Sequence, residues 1–273
     1  MAELVDLGDK IKRYYFFTTS ELGGVITSIL VLAFIISFNE WGKNEANIAV
    51  GLFNLFNAVL IVALSMLIHI SAQRVWSLAT GYRLEWRMWG FGLLFGLIVV
   101  FLSNGKFIFL AVGGLSFYMI EKLRIGHPEP FLSYSLMGWL SVLGPLASIV
   151  IAVIAKLFTA SNILNPLILS KLISVNLWIA VFSILPFPFV SDFKNLRKWE
   201  GSTDGLKMFF ASRIEYAIVL ILIFLNALSV LLMPPKGAFY ITIFFFILMY
   251  LVYYLFYRQN VKAPKKMFKY YQP

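Results

Sequence analysis

The sequence predicts an all-α polytopic membrane protein of about six transmembrane helices, and three features carry that prediction. Hydrophobic residues fill 60% of the 273 positions and charged residues only 13%, where a soluble domain carries roughly 25%, so there is too little polar surface to solvate a globule in water. Apolar stretches of about 20 residues, the length that crosses a hydrocarbon layer of about 30 Å, recur along the chain. Basic residues collect between and after these stretches and leave a net charge of +10. A soluble single-domain fold is excluded.

The first 20 residues alternate charge with aromatics and carry Glu3, Asp6 and Asp9, so no cleavable signal peptide is expected and the N-terminus is expected to be retained. Spans follow at 22–38 and 47–70. Trp89 to Leu102 is apolar over only about 14 residues, a length that suits a re-entrant or interfacial piece better than a crossing. Phe107 to Tyr118 contains Gly113 and Gly114 and has no helical period, which reads as short strands or a hairpin at the membrane edge. The region 89–118 is therefore expected to be a short re-entrant or β-hairpin segment after the second span. Further spans follow at 135–158, 166–190, 209–233 and 237–257. Residues 1–257 then form one integral membrane domain, with 258–273 as a basic cytoplasmic tail; no long linker or internal repeat marks a second domain.

Charge decides whether 89–118 crosses or returns. If it returns, both termini and the basic loops carrying Arg74, Arg83, Arg87, Lys122, Arg124, Lys194, Arg197, Lys198 and Lys207 share the cytoplasmic face, as the positive-inside rule requires. A plasma-membrane protein with both termini cytoplasmic is the expectation. The tail residues Arg258, Lys262, Lys265, Lys266 and Lys269 suit anionic lipid headgroups of the bilayer, and no nucleic acid is expected as a partner. The chain has no Cys, which excludes disulfides and thiolate metal sites, and no phosphate-binding loop or paired carboxylates appear.

The second span ends in Leu67-Ile68-His69-Ile70-Ser71-Ala72-Gln73-Arg74, and His69 is one of two histidines. An ionisable side chain in a lipid-embedded helix is a functional candidate, against the plain alternative of an inert interfacial histidine. From His69 through Trp89 the chain resembles the active-site helix and following strand of the site-2 protease family of intramembrane zinc metalloproteases. Gly144-Pro145-Leu146-Ala147-Ser148 is similar to that family's Gly-Pro-Leu helix. Asn176 to Pro188 resembles its Asn-Leu…Pro-x-Pro segment, and the three matches occur in the family's order. The resemblance implies a six-span core with an edge segment after the first motif, a zinc site, and a substrate groove involving Ser183, Asn176, Gly113 and Gly114.

The same residues depart from what that chemistry needs. A zinc peptidase helix supplies two imidazoles at i and i+4, a carboxylate base beside the first, and a third ligand from elsewhere. Here Gln73 stands at the second imidazole position and Ile70 at the position of the general base, where no proton can be accepted. Ser183 stands where the family has Asn. His127, between prolines in Gly126-His127-Pro128-Glu129-Pro130, is the sole spare imidazole. For the third ligand, Asp204 is followed by Gly205 as in the family but lies far beyond Pro188, while Asp192 has the expected spacing and lacks the glycine. The remnant site is His69 and Gln73 with Asp204 or Asp192.

The expected function is that of a non-catalytic pseudoprotease that binds or regulates a membrane protein or transmembrane peptide, with no cofactor and with homo- or hetero-oligomers as possible assemblies. Strand addition around 107–118 would be its route of binding. An active intramembrane zinc metalloprotease with an atypical site is the enzyme alternative, and zinc would be its cofactor. A small-solute transporter is the third reading, which lacks the paired broken helices of carriers.

Overall fold

Hydrophobic continuity sets the helices, and capping or proline chemistry ends them. The structure is a computed structural model that describes residues 2–42, 47–110, 112–119, 134–161, 165–187 and 203–261. In chain order its elements are α1 (Ala2–Tyr14), α2 (Thr19–Ser37), α3 (Ile48–Ala79), β1 (Tyr82–Arg87), α4 (Gly90–Leu102), β2 (Gly114–Met119), α5 (Tyr134–Phe158), α6 (Pro166–Ile184), α7 (Asp204–Ala211), α8 (Arg213–Leu232) and α9 (Pro235–Val261). Among the described residues six helices, α2, α3, α5, α6, α8 and the Pro235–Phe256 part of α9, are long and apolar enough to cross a membrane. The chain is an integral membrane protein.

The spans begin close to their expected positions and end where local chemistry dictates. The second continues from residue 70 to Ala79, because nothing breaks the helix before the Thr80-Gly81 turn. The fourth stops at Ile184 rather than 190, since Pro186 disfavours helical backbone at Leu185. The fifth, expected over 209–233, is divided at Ser212, whose extended backbone separates α7 from α8 and whose Oγ caps the Glu215 N–H at 3.3 Å. Pro145 lies within α5 without ending it.

Between α3 and α5 the chain makes a detour. β1 and β2 pair antiparallel, with Arg87 opposite Gly114 and Tyr82 opposite Met119. β2 falls within the stretch 107–118 where short strands are expected, but its partner β1 lies before the region 89–118 and α4 separates the two. Trp86 N–H reaches Glu21 at the start of α2, whereas the Gly105 carbonyl accepts from Asn39 Nδ2 at 2.9 Å beyond the other end of α2. The chain leaves β1 along α4, which packs beside α2, and β2 follows.

Two apolar cores result. One joins α2, α3, α4 and the strands around Leu32, Met66, Ile70, Trp86 and Leu115. The other joins α5 to α9 around Ile149, Leu177, Met208, Val219 and Ile223. Helix α6 contributes to both, with Val175 and Ile179 facing the first and Ala180 and Ile184 the second. The seam where α3 meets α5 and α7 holds the polar residues described next.

Candidate functional site

His69 and Gln73 lie one turn apart on α3 and turn the same way, as i and i+4 must. Both are buried, at 2% and 1% exposure. Asp204, the first residue of α7, meets them: its Oδ2 lies 3.2 Å from His69 Nε2 and accepts from Gln73 Nε2 at 2.9 Å. Gln73 Nε2 also donates to the Ser141 carbonyl of α5 at 2.8 Å. Ser148 Oγ lies 2.9 Å from His69 Nδ1. In the tautomer that donates its Nε2–H to Asp204 Oδ2, His69 Nδ1 accepts from the Ser148 hydroxyl.

Two glycines let the backbones come this close. A Cβ at Gly144 of α5 would collide with His69 Nε2 and Gln73 Nε2. A Cβ at Gly205 would collide with the Ile184 carbonyl at the end of α6, so the residue after Asp204 must be glycine for α7 to seat there. Thr203 fixes the entry of α7: its Oγ1 donates to the Leu185 carbonyl at 2.6 Å and accepts from the Phe187 and Leu206 N–H groups at 3.0 and 3.3 Å. One turn on, Lys207 is 8% exposed with its Nζ 5.8 Å from the Phe117 ring of β2. Burial pushes its ammonium down to about 8, against the opposing pull of Asp204.

The structure brings His69, Gln73 and Asp204 together. Asp192 and His127 lie outside the described residues. Ile70 is buried in the first core. Asn176 is buried and bridges α6 to α3, donating to Ser65 Oγ at 2.9 Å and to the Leu172 carbonyl at 2.8 Å, while Ser183 bonds the Ala180 carbonyl of its own helix at 3.1 Å. Gly113 lies under the Trp86 ring and Gly114 opens β2. Sequence reasoning missed Ser148 and Thr203 as parts of the cluster, although Ser148 closes the Gly-Pro-Leu motif.

These donors do not fit a three-ligand zinc site. His69 Nε2 and Asp204 offer two, and Asp204 Oδ1 is a buried acceptor with no partner among the described residues. The third position holds the Gln73 amide, whose two acceptor neighbours fix its N–H group toward Asp204, and an N–H donor cannot ligate a cation. Among the described residues no three His, Cys, Asp or Glu side chains group for a metal. The row Ser148, His69, Asp204 has the composition of a nucleophile, base and orienting acid. Ser148 has no exposed surface, however, so no substrate carbonyl can approach it.

A second polar cluster holds the sheet in place. Glu21 accepts from Arg74 Nη2 and from Trp86 N–H, the latter at 2.8 Å, and completes a capping box with Thr18 at the start of α2. Arg74 also donates to the Phe16 carbonyl at 3.1 Å and lies 4.1 Å from the Phe17 ring centre.

Compared with known proteins, the chain matches no family model, no curated protein and no solved structure.

Proposed function

We propose that the chain is a non-catalytic relative of the site-2 proteases, which holds or regulates a membrane protein or transmembrane peptide without cutting it and without a cofactor. One observation carries this reading: Gln73, at the position of the second imidazole, gives its N–H to the carboxylate that a metal would otherwise claim. Ile70, at the position of the base, is buried among apolar side chains and cannot activate water. The meeting of His69, Gln73 and Asp204 across 135 residues supports the family resemblance, because those motifs named these positions independently of any contact. Among the described residues β2 pairs on one side only, which suits strand addition by an extended segment of the partner. In this reading the region 89–118 is a short re-entrant or β-hairpin segment after the second span, and both termini face the cytoplasm across the plasma membrane.

Metal analysis with a cleavage assay tests it. Purified protein should carry no stoichiometric zinc and should leave a membrane-embedded peptide intact with or without chelator. A photo-crosslinker replacing Tyr118 on β2 should capture a partner segment in membranes. Stoichiometric zinc lost on His69→Ala, or chelator-sensitive cleavage, establishes the protease instead.

A further inference from the structure

At the end of the bundle far from His69, a cavity of about 900 Å³ opens between the last turn of α2 and the first turns of α3 and α6. Its wall includes Glu40, Asn54, Asn57, Lys171, Ser174 and Trp178. Glu40 and Lys171 form an ion pair there, and Asn54 Nδ2 donates to the Glu40 carbonyl at 2.8 Å. Asn57 and Ser174 have no hydrogen-bond partner among the described residues. Asn57 sits about 14 Å along α3 from its start, inside a membrane-spanning helix, where an unpaired amide is costly. The apolar rim, including Phe53 at 66% and Leu167 at 77% exposure, faces outward where lipid chains lie.

We propose that this cavity binds the zwitterionic headgroup of a membrane phospholipid, a phosphate joined to a primary ammonium. Lys171, the Asn57 amide and the Ser174 hydroxyl take the phosphate, and Glu40 takes the ammonium. Net charge selects this ligand. A lone anion entering the cavity meets the Glu40 carboxylate and a lone cation meets Lys171, whereas a zwitterion neutralises both as water leaves. The first turns of α3 and α6, capped by Asn47 and Asn165, both border the cavity and add positive dipole ends on the phosphate side. The lipid rather than the free headgroup is the source, because the apolar rim gives acyl chains a surface to lie on. This site is independent of the protease-scaffold reading, which concerns the opposite end of the bundle.

Native mass spectrometry of the delipidated full chain tests it with three probes: dioleoylphosphatidylethanolamine, dioleoylphosphatidylglycerol and soluble glycerophosphoethanolamine. The zwitterionic lipid should bind about tenfold or more tightly than the anionic one, and the soluble headgroup more weakly than the whole lipid. Asn57→Leu and Lys171→Met should abolish that preference. Ser174→Phe, at an exposed position that leaves the cores untouched, should block binding by filling the cavity without lowering the unfolding temperature. Equal retention of the two lipids, or unchanged binding in Ser174→Phe, overturns the proposal. A soluble headgroup that binds as tightly as the lipid overturns the assignment to a membrane source.

Discussion

Asp204 presents one oxygen to two donors, and its other oxygen is buried with no hydrogen-bond partner among the described residues. Lys207 is the cation nearest to it in the chain, and its burial disfavours the charged form. The ammonium titrates at about 8 in the folded chain and near its ordinary value of 10.5 when unfolded. Between these values the unfolded chain binds the extra proton, so stability rises with pH across that window and is constant on either side. Thermal unfolding in detergent should show this rise, and Lys207→Met should flatten it; an unchanged slope in the variant would remove Lys207 as its source. At this scale the sequence made some residues legible and hid others. His69 stood out as an ionisable residue in an apolar span, and the resemblance to the site-2 protease motifs marked Gln73 and, with Asp192 as its alternative, Asp204, whose following glycine the Ile184 carbonyl demands. Ser148 and Thr203 did not stand out, because a hydroxyl in an apolar run has no periodic signature and its role depends on an imidazole or a carbonyl distant in sequence.

Helices α2 and α3 and strand β1 are joined by a single carboxylate. Glu21 caps its own helix, pairs with Arg74 and receives the Trp86 N–H, all at 4% exposure. Removing its charge leaves the buried Arg74 guanidinium with only the Phe16 carbonyl and the aromatic rings for compensation, and breaking a buried pair costs up to about 3–5 kcal/mol. Glu21→Gln should lower the unfolding midpoint accordingly. Adding Arg74→Met should recover most of the loss, and a double variant no more stable than the single one would contradict this account. The apolar spans were legible element by element, since length and hydropathy alone define them. Their ends were not: the extension of α3 to Ala79 and the break at Ser212 depend on where polar partners await the emerging backbone. The pairing of β1 with β2 was equally hidden, because the strands are separated by α4 and carry no turn that announces a hairpin.

The whole molecule consists of two cores joined along α3, α5 and α6, with the strands and α7 at one end and the polar cavity at the other. The start of α6 and the Glu40–Lys171 pair lie at the cavity end, while Glu21 and Arg74 lie at the sheet end. The absence of native cysteine makes single introduced thiols unambiguous reporters of sidedness. If both termini are cytoplasmic, as proposed, Ser161→Cys should react with an impermeant maleimide in intact cells and Lys12→Cys only after permeabilisation. Labelling of both from the same side would refute that orientation. One contact also bears on synthesis. His69 is translated 135 residues before Asp204. At roughly 5–20 residues per second the ribosome takes roughly 7 to 27 s to cover that distance. Throughout that interval the nascent membrane segment carries a histidine and an amide awaiting their carboxylate, so this seam can close only after the start of α7 has been made.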